Sequence, residues 1–225
     1  MPRFRRGAFA LFATTFLVSL LLGDRATAAA VLALDVHAVW HQHTWWQPLT
    51  ALFLLPESGL AALVGTLLIQ WYFGSPLEGF WSTRRYLIMV LASGTFGYLS
   101  CVAAGLWLPQ FSNVTFTGAL PLDAATTTAF AIVYARQRYS LFGAAPVQGR
   151  VLAGFVLALL FVLPVASGHG VVAILPGVVA ALSAALFATQ PWRRGPKSGT
   201  VGRSKARSAQ GSHLRVVRSV DDLLN

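Results

Sequence analysis

The sequence predicts an all-α membrane protein with six transmembrane helices and both termini in the cytoplasm. Of its 225 residues, 56% are hydrophobic and 11% are charged, whereas a soluble domain usually carries about 25% charged residues. Six apolar runs can be placed along the chain. If the amino terminus is cytoplasmic, sixteen of the seventeen Lys and Arg residues fall in cytoplasmic segments. This asymmetry is typical of multi-pass proteins of the cell membrane and sets the predicted orientation.

The first apolar run spans residues 8–22 and follows Arg3, Arg5 and Arg6. Two interpretations are open. The run is a retained helix, slightly shorter than the ~20 residues of an ordinary span. Alternatively it is a secretory signal peptide with its small-x-small cleavage sequence at 26–28. The charge distribution favours the retained helix.

The segment that follows, residues 24–48, is predicted to be an external loop rich in His and Trp. Because imidazole is a common ligand of transition metals, His37, His41 and His43 form a candidate metal site. Trp residues also prefer membrane interfaces, and only Asp35 supplies a nearby carboxylate. An interfacial loop is therefore the preferred interpretation, and the metal site is the alternative.

The remaining apolar runs complete a membrane domain that we predict over residues 1–190. They lie at 49–73, 86–108, 118–135, 151–168 and 170–188. A single cysteine, Cys101, excludes a disulfide framework and a Cys-based metal cluster, and no motif indicates a cofactor. Residues 191–225 are basic, predicted to be largely disordered, and expected to lie along anionic lipid rather than to bind a specific nucleic acid.

Three short stretches resemble the rhomboid superfamily of intramembrane proteins. They are Trp46-Gln47-Pro48-Leu49-Thr50, Gly74-Ser75-Pro76-Leu77-Glu78 and Arg85-Tyr86-Leu87. The resemblance covers roughly residues 7–190 and implies a six-helix rhomboid-like bundle. It makes Trp46, Gly74, Glu78 and Arg85 structural positions, although the family usually has Trp-Arg where this chain has Trp46 followed by Gln.

The 74–78 stretch is predicted to be a compact cytoplasmic turn between the second and third spans. Glu78 would close this turn and pair with Arg84 or Arg85.

Active rhomboids are serine proteases, and the resemblance lets each catalytic position be checked. The nucleophile of the fourth span falls at Leu120 or at Asp123, depending on the register. The second span has Thr66 where the family has Asn, and Ala62 where it has His. Only the sixth span keeps a candidate base, His169. Since a weak nucleophile needs an adjacent base and oxyanion donors, the resemblance implies a catalytically degenerate rhomboid.

Asp123 and His169 form a candidate polar pair. Two stripes of residues at four-residue spacing define helix faces, and the small residues of the second stripe would allow close packing. The stripes are Asp123, Thr127, Ala131 and Ala135, and His169, Ala173, Gly177, Ala181 and Ala185. If they face each other, carboxylate and imidazole meet near the outer surface. The alternatives are an Asp123 that is hydrated at the mouth of a span or caps a helix, and a His169 at a loop edge.

The sequence favours a non-proteolytic membrane protein that binds transmembrane segments of other proteins. The alternative is an active intramembrane serine endopeptidase with an atypical nucleophile such as Ser58, Ser93 or Ser167, none of which lies in a Gly-x-Ser-Gly motif. A solute carrier using Asp123 and Glu57 is a third class, and no inverted repeat supports it.

Overall fold

The computed structural model describes residues 4–22, 26–55, 60–112, 114–139, 147–166 and 170–189. The chain divides into two units, Met1–Gln190 and Pro191–Asn225, and the second unit lies outside the described residues. The helices of the first unit are α1 (Arg6–Leu22), α2 (Ala26–Leu32), α3 (Val36–His41), α4 (Gln47–Thr50), α5 (Leu60–Ile69), α6 (Ser75–Trp81), α7 (Thr83–Gly105), α8 (Pro109–Ser112), α9 (Leu120–Val133), α10 (Gly149–Pro164) and α11 (Leu175–Thr189).

Four two-residue strands interrupt the helices within the described residues. They are β1 (Leu34–Asp35), β2 (Thr115–Phe116), β3 (Arg138–Tyr139) and β4 (Val147–Gln148). Strand β1 pairs antiparallel with β2, and β3 pairs antiparallel with β4. These pairs only tie connecting segments together, so the predicted all-α class is confirmed.

Two described helices are long and apolar enough to cross a membrane, Thr83–Gly105 and Val172–Thr189. Three shorter apolar helices accompany them: α1, α9 and α10. The described part of helix α5 starts at Leu60, and the short helical turn at Ala51–Phe53 ends at Leu54 in an extended conformation. Length and composition therefore support membrane association through two helices.

Contacts at the helix ends define what we call the arginine end, where Arg5, Arg85 and Arg150 lie. There the Arg5 side chain packs over α6 at Gly79, and the Arg85 guanidinium lies 5.8 Å from the Phe187 ring of α11. The opposite end joins α1 to the segment before α5, where the Ser19 hydroxyl accepts from the Leu55 N–H at 3.0 Å. At the arginine end, the Tyr134 hydroxyl, just after α9, donates to the Pro76 carbonyl at 2.9 Å, and the Gly149 N–H that begins α10 donates to the Gln137 carbonyl at 2.8 Å. Helices α1, α5–α6, α7, α9, α10 and α11 therefore alternate in direction.

The predicted turn at Gly74–Glu78 is wrong. Gly74 has helical dihedrals, α6 runs on to Trp81, and the chain reverses at Ser82, whose φ is 85°. Proline is tolerated in the first turn of a helix, and Pro76 lies in the first turn of α6. Instead, residues Gln70–Gly74 form one π-helical turn, with the Ser75 N–H donating to the Gln70 carbonyl.

Glu78 caps α1. Its carboxylate accepts from the backbone N–H groups of Gly7 and Ala8 at 3.0 Å and from the Thr83 hydroxyl at 2.6 Å. The first N–H groups of a helix have no partner within it, and the negative carboxylate also suits the positive end of the helix dipole. Glu78 is 3% exposed. These contacts join the start of α1 to α6.

Helix α9 is the centre of the packing. Nine of its residues are buried, and it contacts α5, α7, α10 and α11. Helices α7 and α11 meet at Gly97, where an added Cβ would overlap the Pro176 carbonyl oxygen and lie 3.2 Å from Ala180 Cβ. The buried face of α11 consists of Pro176, Gly177, Ala180 and Ala184. Small residues thus set the close approach of these helices.

Candidate functional site

A buried carboxylate lies where α9 meets α5. Asp123 is 4% exposed, and its Oδ2 accepts from the Thr66 hydroxyl at 2.7 Å. Its Oδ1 accepts from the Gln70 side-chain amide at 3.3 Å. Hydrogen bonds to a charged group are stronger than those between neutral groups. The two bonds join α5 and the π-helical turn after it to the first turn of α9.

Two further side chains extend the network, and we call Thr66, Gln70, Tyr86, Asp123 and Thr126 the polar cluster. The Tyr86 hydroxyl of α7 donates to Gln70 Oε1, and the Gln70 amide nitrogen lies 3.5 Å from Thr126 Oγ1. The Tyr86 bond fixes the Gln70 amide with its oxygen toward Tyr86 and its nitrogen toward Asp123. Thr66 and Gln70 therefore both donate to the Asp123 carboxylate, and Tyr86 holds Gln70 in the orientation that allows this.

The π-helical turn positions Gln70 within this cluster. A π turn inserts an extra residue into a helix and is frequent at functional sites. Gly74 makes room for it: a Cβ there would lie 2.5 Å from the Tyr86 hydroxyl oxygen and 3.0 Å from Gln70 Oε1. Gln70 is 1% exposed and Tyr86 is fully buried. Gly74 was predicted to be part of a turn. Its lack of a side chain instead leaves space for the Tyr86 hydroxyl and the Gln70 amide.

Both structural alternatives for Asp123 are wrong. Ala119 is the N-cap of α9 and makes no side-chain cap bond, so Asp123 is not the capping residue. Its burial excludes a carboxylate that is simply hydrated at the mouth of a span. Helices α9 and α11 do pack together. His169 lies outside the described residues, so the Asp123–His169 pair stays a prediction.

The faces of the two stripes differ from those expected. On α9 both Asp123 and Thr127 are buried, but on α11 the buried positions include Ala180 and Ala184 rather than Ala181 and Ala185. Helix α11 packs on α7 as well as on α9. Its buried face at Ala180 and Ala184 is therefore one residue away from the predicted stripe.

The structure gives no support to the metal alternative at His37, His41 and His43. Within the described residues, no group of three His, Cys, Asp or Glu side chains is arranged to hold a metal ion. The His37 and His41 rings lie 4.1 Å apart on α3. His43 follows the end of the helix with φ 57°, and the Asp35 carboxylate is used to cap α3 through the N–H groups of His37 and Ala38.

The other predicted positions are separate from the polar cluster. Trp46 is 51% exposed next to α4, while the neighbouring Gln47 is buried and its side-chain oxygen accepts from the Asp35 N–H at 3.1 Å. Arg85 lies over the rings of Trp81 and Phe187, each at 5.8 Å, where cation–π attraction holds it. Gly74 and Glu78 have the packing and capping roles described above.

Of the three candidate serines, Ser93 is the one within the described residues. It lies inside α7 and is 3% exposed, so its hydroxyl is not presented to a substrate. Ser58 and Ser167, like Glu57, fall outside the described residues.

Sequence reasoning missed Gln70, Tyr86 and Thr126 as members of the site. Gln70 carried a usable signal, because it follows Thr66 by four residues in an otherwise apolar run and therefore shares its helix face. Polar residues in such a run are usually functional or paired. Tyr86 and Thr126 carried no comparable signal, since their roles depend on how three helices come together.

Two helices beside α9 are loosely packed away from the arginine end. In α5, Thr66 is the first buried residue among those whose burial is described, and a Cβ at Gly65 would meet no atom within 4 Å. In α10, the described buried positions end at Ala153, and Gly154 is equally open. Within the described residues, the fully buried positions of both helices therefore lie nearer the arginine end, while the half-buried Leu63, Val156 and Leu160 pack against the core toward the opposite end.

The fold and the site together define a helical protein with a membrane-type composition and a buried carboxylate cluster at its central helix. No family model, curated protein or solved structure matches the chain.

Proposed function

We propose that this chain is a rhomboid-like, multi-pass protein of the cell membrane that lacks the catalytic serine and binds transmembrane segments of other proteins. Its six alternating helices would cross the membrane with the arginine end in the cytoplasm. The basic tail would lie on anionic lipid, which binding to vesicles with and without anionic lipid would test.

One observation supports this proposal most directly. The family resemblance aligned Thr66 with a catalytic Asn and, in one of its two registers, Asp123 with the catalytic Ser; the other register gave Leu120. In the structure the Thr66 and Asp123 side chains are hydrogen-bonded at 2.7 Å. This contact supports the register that places Asp123 at the serine position, where the chemistry would then have changed. A carboxylate that accepts two hydrogen bonds is not a nucleophile for peptide bonds in this setting.

The loosely packed helices supply the binding surface. Helices α5 and α10 both pack on α9, and both expose apolar side chains, including Val64 on α5 and Val162 on α10. In lipid, helices associate through packing and hydrogen bonds rather than through the hydrophobic effect. A partner helix would enter between α5 and α10, at the end of these helices where the described side chains are exposed or half-buried.

A photo-crosslinking experiment tests the binding surface. Full-length protein carrying a photoreactive residue at Val64 or Val162 would be reconstituted with a leucine-rich single-span peptide. We expect peptide adducts at both positions and none at Phe96 or Leu182. The four positions are matched in exposure, at 51%, 60%, 59% and 61%. Equal adduct yields at all four would show that the peptide meets lipid-facing residues without preference, and would contradict the proposal.

The absence of catalysis is tested with a serine-directed fluorophosphonate. The purified protein should not be labelled, because no serine of a Gly-x-Ser-Gly motif exists in the sequence. An active rhomboid protease in the same preparation serves as the positive control. Labelling that disappears in His169→Ala would identify a Ser-His enzyme and overturn this part of the proposal.

A further inference from the structure

We infer that Asp123 is the recognition group for a basic residue in the partner's transmembrane segment, so that the occupant is a helix bearing a Lys or Arg in its outer third. This inference rests on the proposed function, because it specifies the chemistry of the helix that enters between α5 and α10.

The Asp123 carboxylate can accept more hydrogen bonds than it receives from the described residues. Two carboxylate oxygens offer about four lone-pair sites, and the donors that reach Asp123 from the described residues are Thr66 and Gln70. Both donors are neutral. A buried carboxylate without a counter-charge is costly in a low-dielectric interior, and pairing with a cation offsets that cost when the remaining hydrogen bonds are kept. A lysine ammonium or arginine guanidinium supplies the missing charge and donors.

The two oxygens of the carboxylate are held unequally. Thr66 reaches Oδ2 at 2.7 Å, whereas Gln70 reaches Oδ1 at 3.3 Å, beyond the usual range of a strong bond to a carboxylate. Gln70 is also held by Tyr86 on its other side. A cation that approaches Oδ1 therefore replaces one long bond and leaves the Thr66 bond in place.

On the side of α5, residues 61–65, which precede Thr66, are exposed or half-buried. Toward the opposite end from Thr66, α5 has no described buried residue, and the space around Gly65 is open. A small sideways displacement of this part of α5 would uncover Asp123 at little packing cost. Asp123 is the fourth residue of α9, which places it about 5 Å from the helix start at 1.5 Å per residue. A long basic side chain in the outer third of a spanning helix can reach that depth.

The test uses three leucine-rich single-span peptides and the full-length protein in lipid vesicles. One peptide carries a Lys in its outer third, the second replaces that Lys with the near-isosteric norleucine, and the third carries the Lys in its inner third. Binding is measured by energy transfer to a label on the protein. We expect the outer Lys to bind at least about tenfold more tightly than norleucine, which corresponds to about 1.4 kcal/mol. The inner Lys should show no such gain.

Asp123→Asn should remove the gain and leave norleucine binding unchanged, because it keeps the shape of the side chain and loses the charge. The peptide comparison in the unmodified protein decides the question even if this variant does not fold. Equal binding of the three peptides would overturn the inference and leave the proposed function intact, whereas no binding of any peptide would overturn both. A gain that appears only in His169→Ala would show that the chain's own imidazole occupies the carboxylate, and would also overturn the inference.

Discussion

Gly97→Ala is expected to destabilise the protein severely. A Cβ at this position would overlap the backbone carbonyl oxygen of Pro176 and press on Ala180 at 3.2 Å. A backbone atom cannot rotate away as a side chain can, so α7 and α11 would have to move apart. Overpacking a close contact costs about 1–3 kcal/mol and occasionally more. We place Gly97→Ala at about 3 kcal/mol, a fall in Tm of about 6 °C or more for a chain of this size.

The same substitution at Gly154 is the matched control. Gly154 also lies in an apolar helix, but its added Cβ meets no atom within 4 Å. Since Ala is favoured over Gly in a helix by up to about 1 kcal/mol, Gly154→Ala should leave Tm unchanged or raise it. Thermal unfolding in detergent, followed by circular dichroism, measures both variants. Indistinguishable Tm values for the two would show that α7 and α11 are not in close contact at Gly97.

Much of the fold could be predicted from composition and periodicity. Long apolar runs predicted helical segments near α7, α9, α10 and α11, because burial in lipid or in a core requires such runs. The helical course through Gly74 and Pro76 could not be predicted in this way. Gly, Ser and Pro together are typical of a turn, but the same residues also fit the first turn of a new helix that continues the old one. The outcome depends on Tyr86 and Glu78, which are brought there by tertiary packing.

The candidate site was predictable only in part. Asp123 stood out because a carboxylate in an apolar run is costly and therefore conspicuous. Its hydrogen-bond partner Gln70 was missed, because a spacing rule gives the face of one helix but not the neighbour against which that face packs. Thr66 and Gln70, from α5 and the π-helical turn, supply the hydrogen bonds that the described residues make to Asp123. Register within a bundle is set by close packing at positions such as Gly97 and Gly177, and no single stretch of sequence contains that information.

The π-helical turn should be testable through the energetic coupling of Gly74 and Tyr86. Gly74→Ala would place a methyl group 2.5 Å from the Tyr86 hydroxyl oxygen, and we expect a loss of about 2–3 kcal/mol. Tyr86→Phe leaves the buried Gln70 Oε1 without this donor, at a cost of about 1–3 kcal/mol. In the double variant the hydroxyl oxygen is absent, so the methyl group occupies the vacated space. The double variant should therefore be more stable than the sum of the single losses predicts.

We expect this coupling to be about 1 kcal/mol or more, the range found for residues in contact. The four proteins of the cycle would be compared by thermal unfolding in detergent. A second cycle that combines Tyr86→Phe with Gly154→Ala serves as the control and should be additive, because a methyl group at Gly154 meets no neighbour. Additivity in the first cycle as well would mean that Tyr86 does not lie over Gly74. In that case Gln70 would not be held by Tyr86, and the donors around Asp123 would lack the fixed orientation that the polar cluster requires.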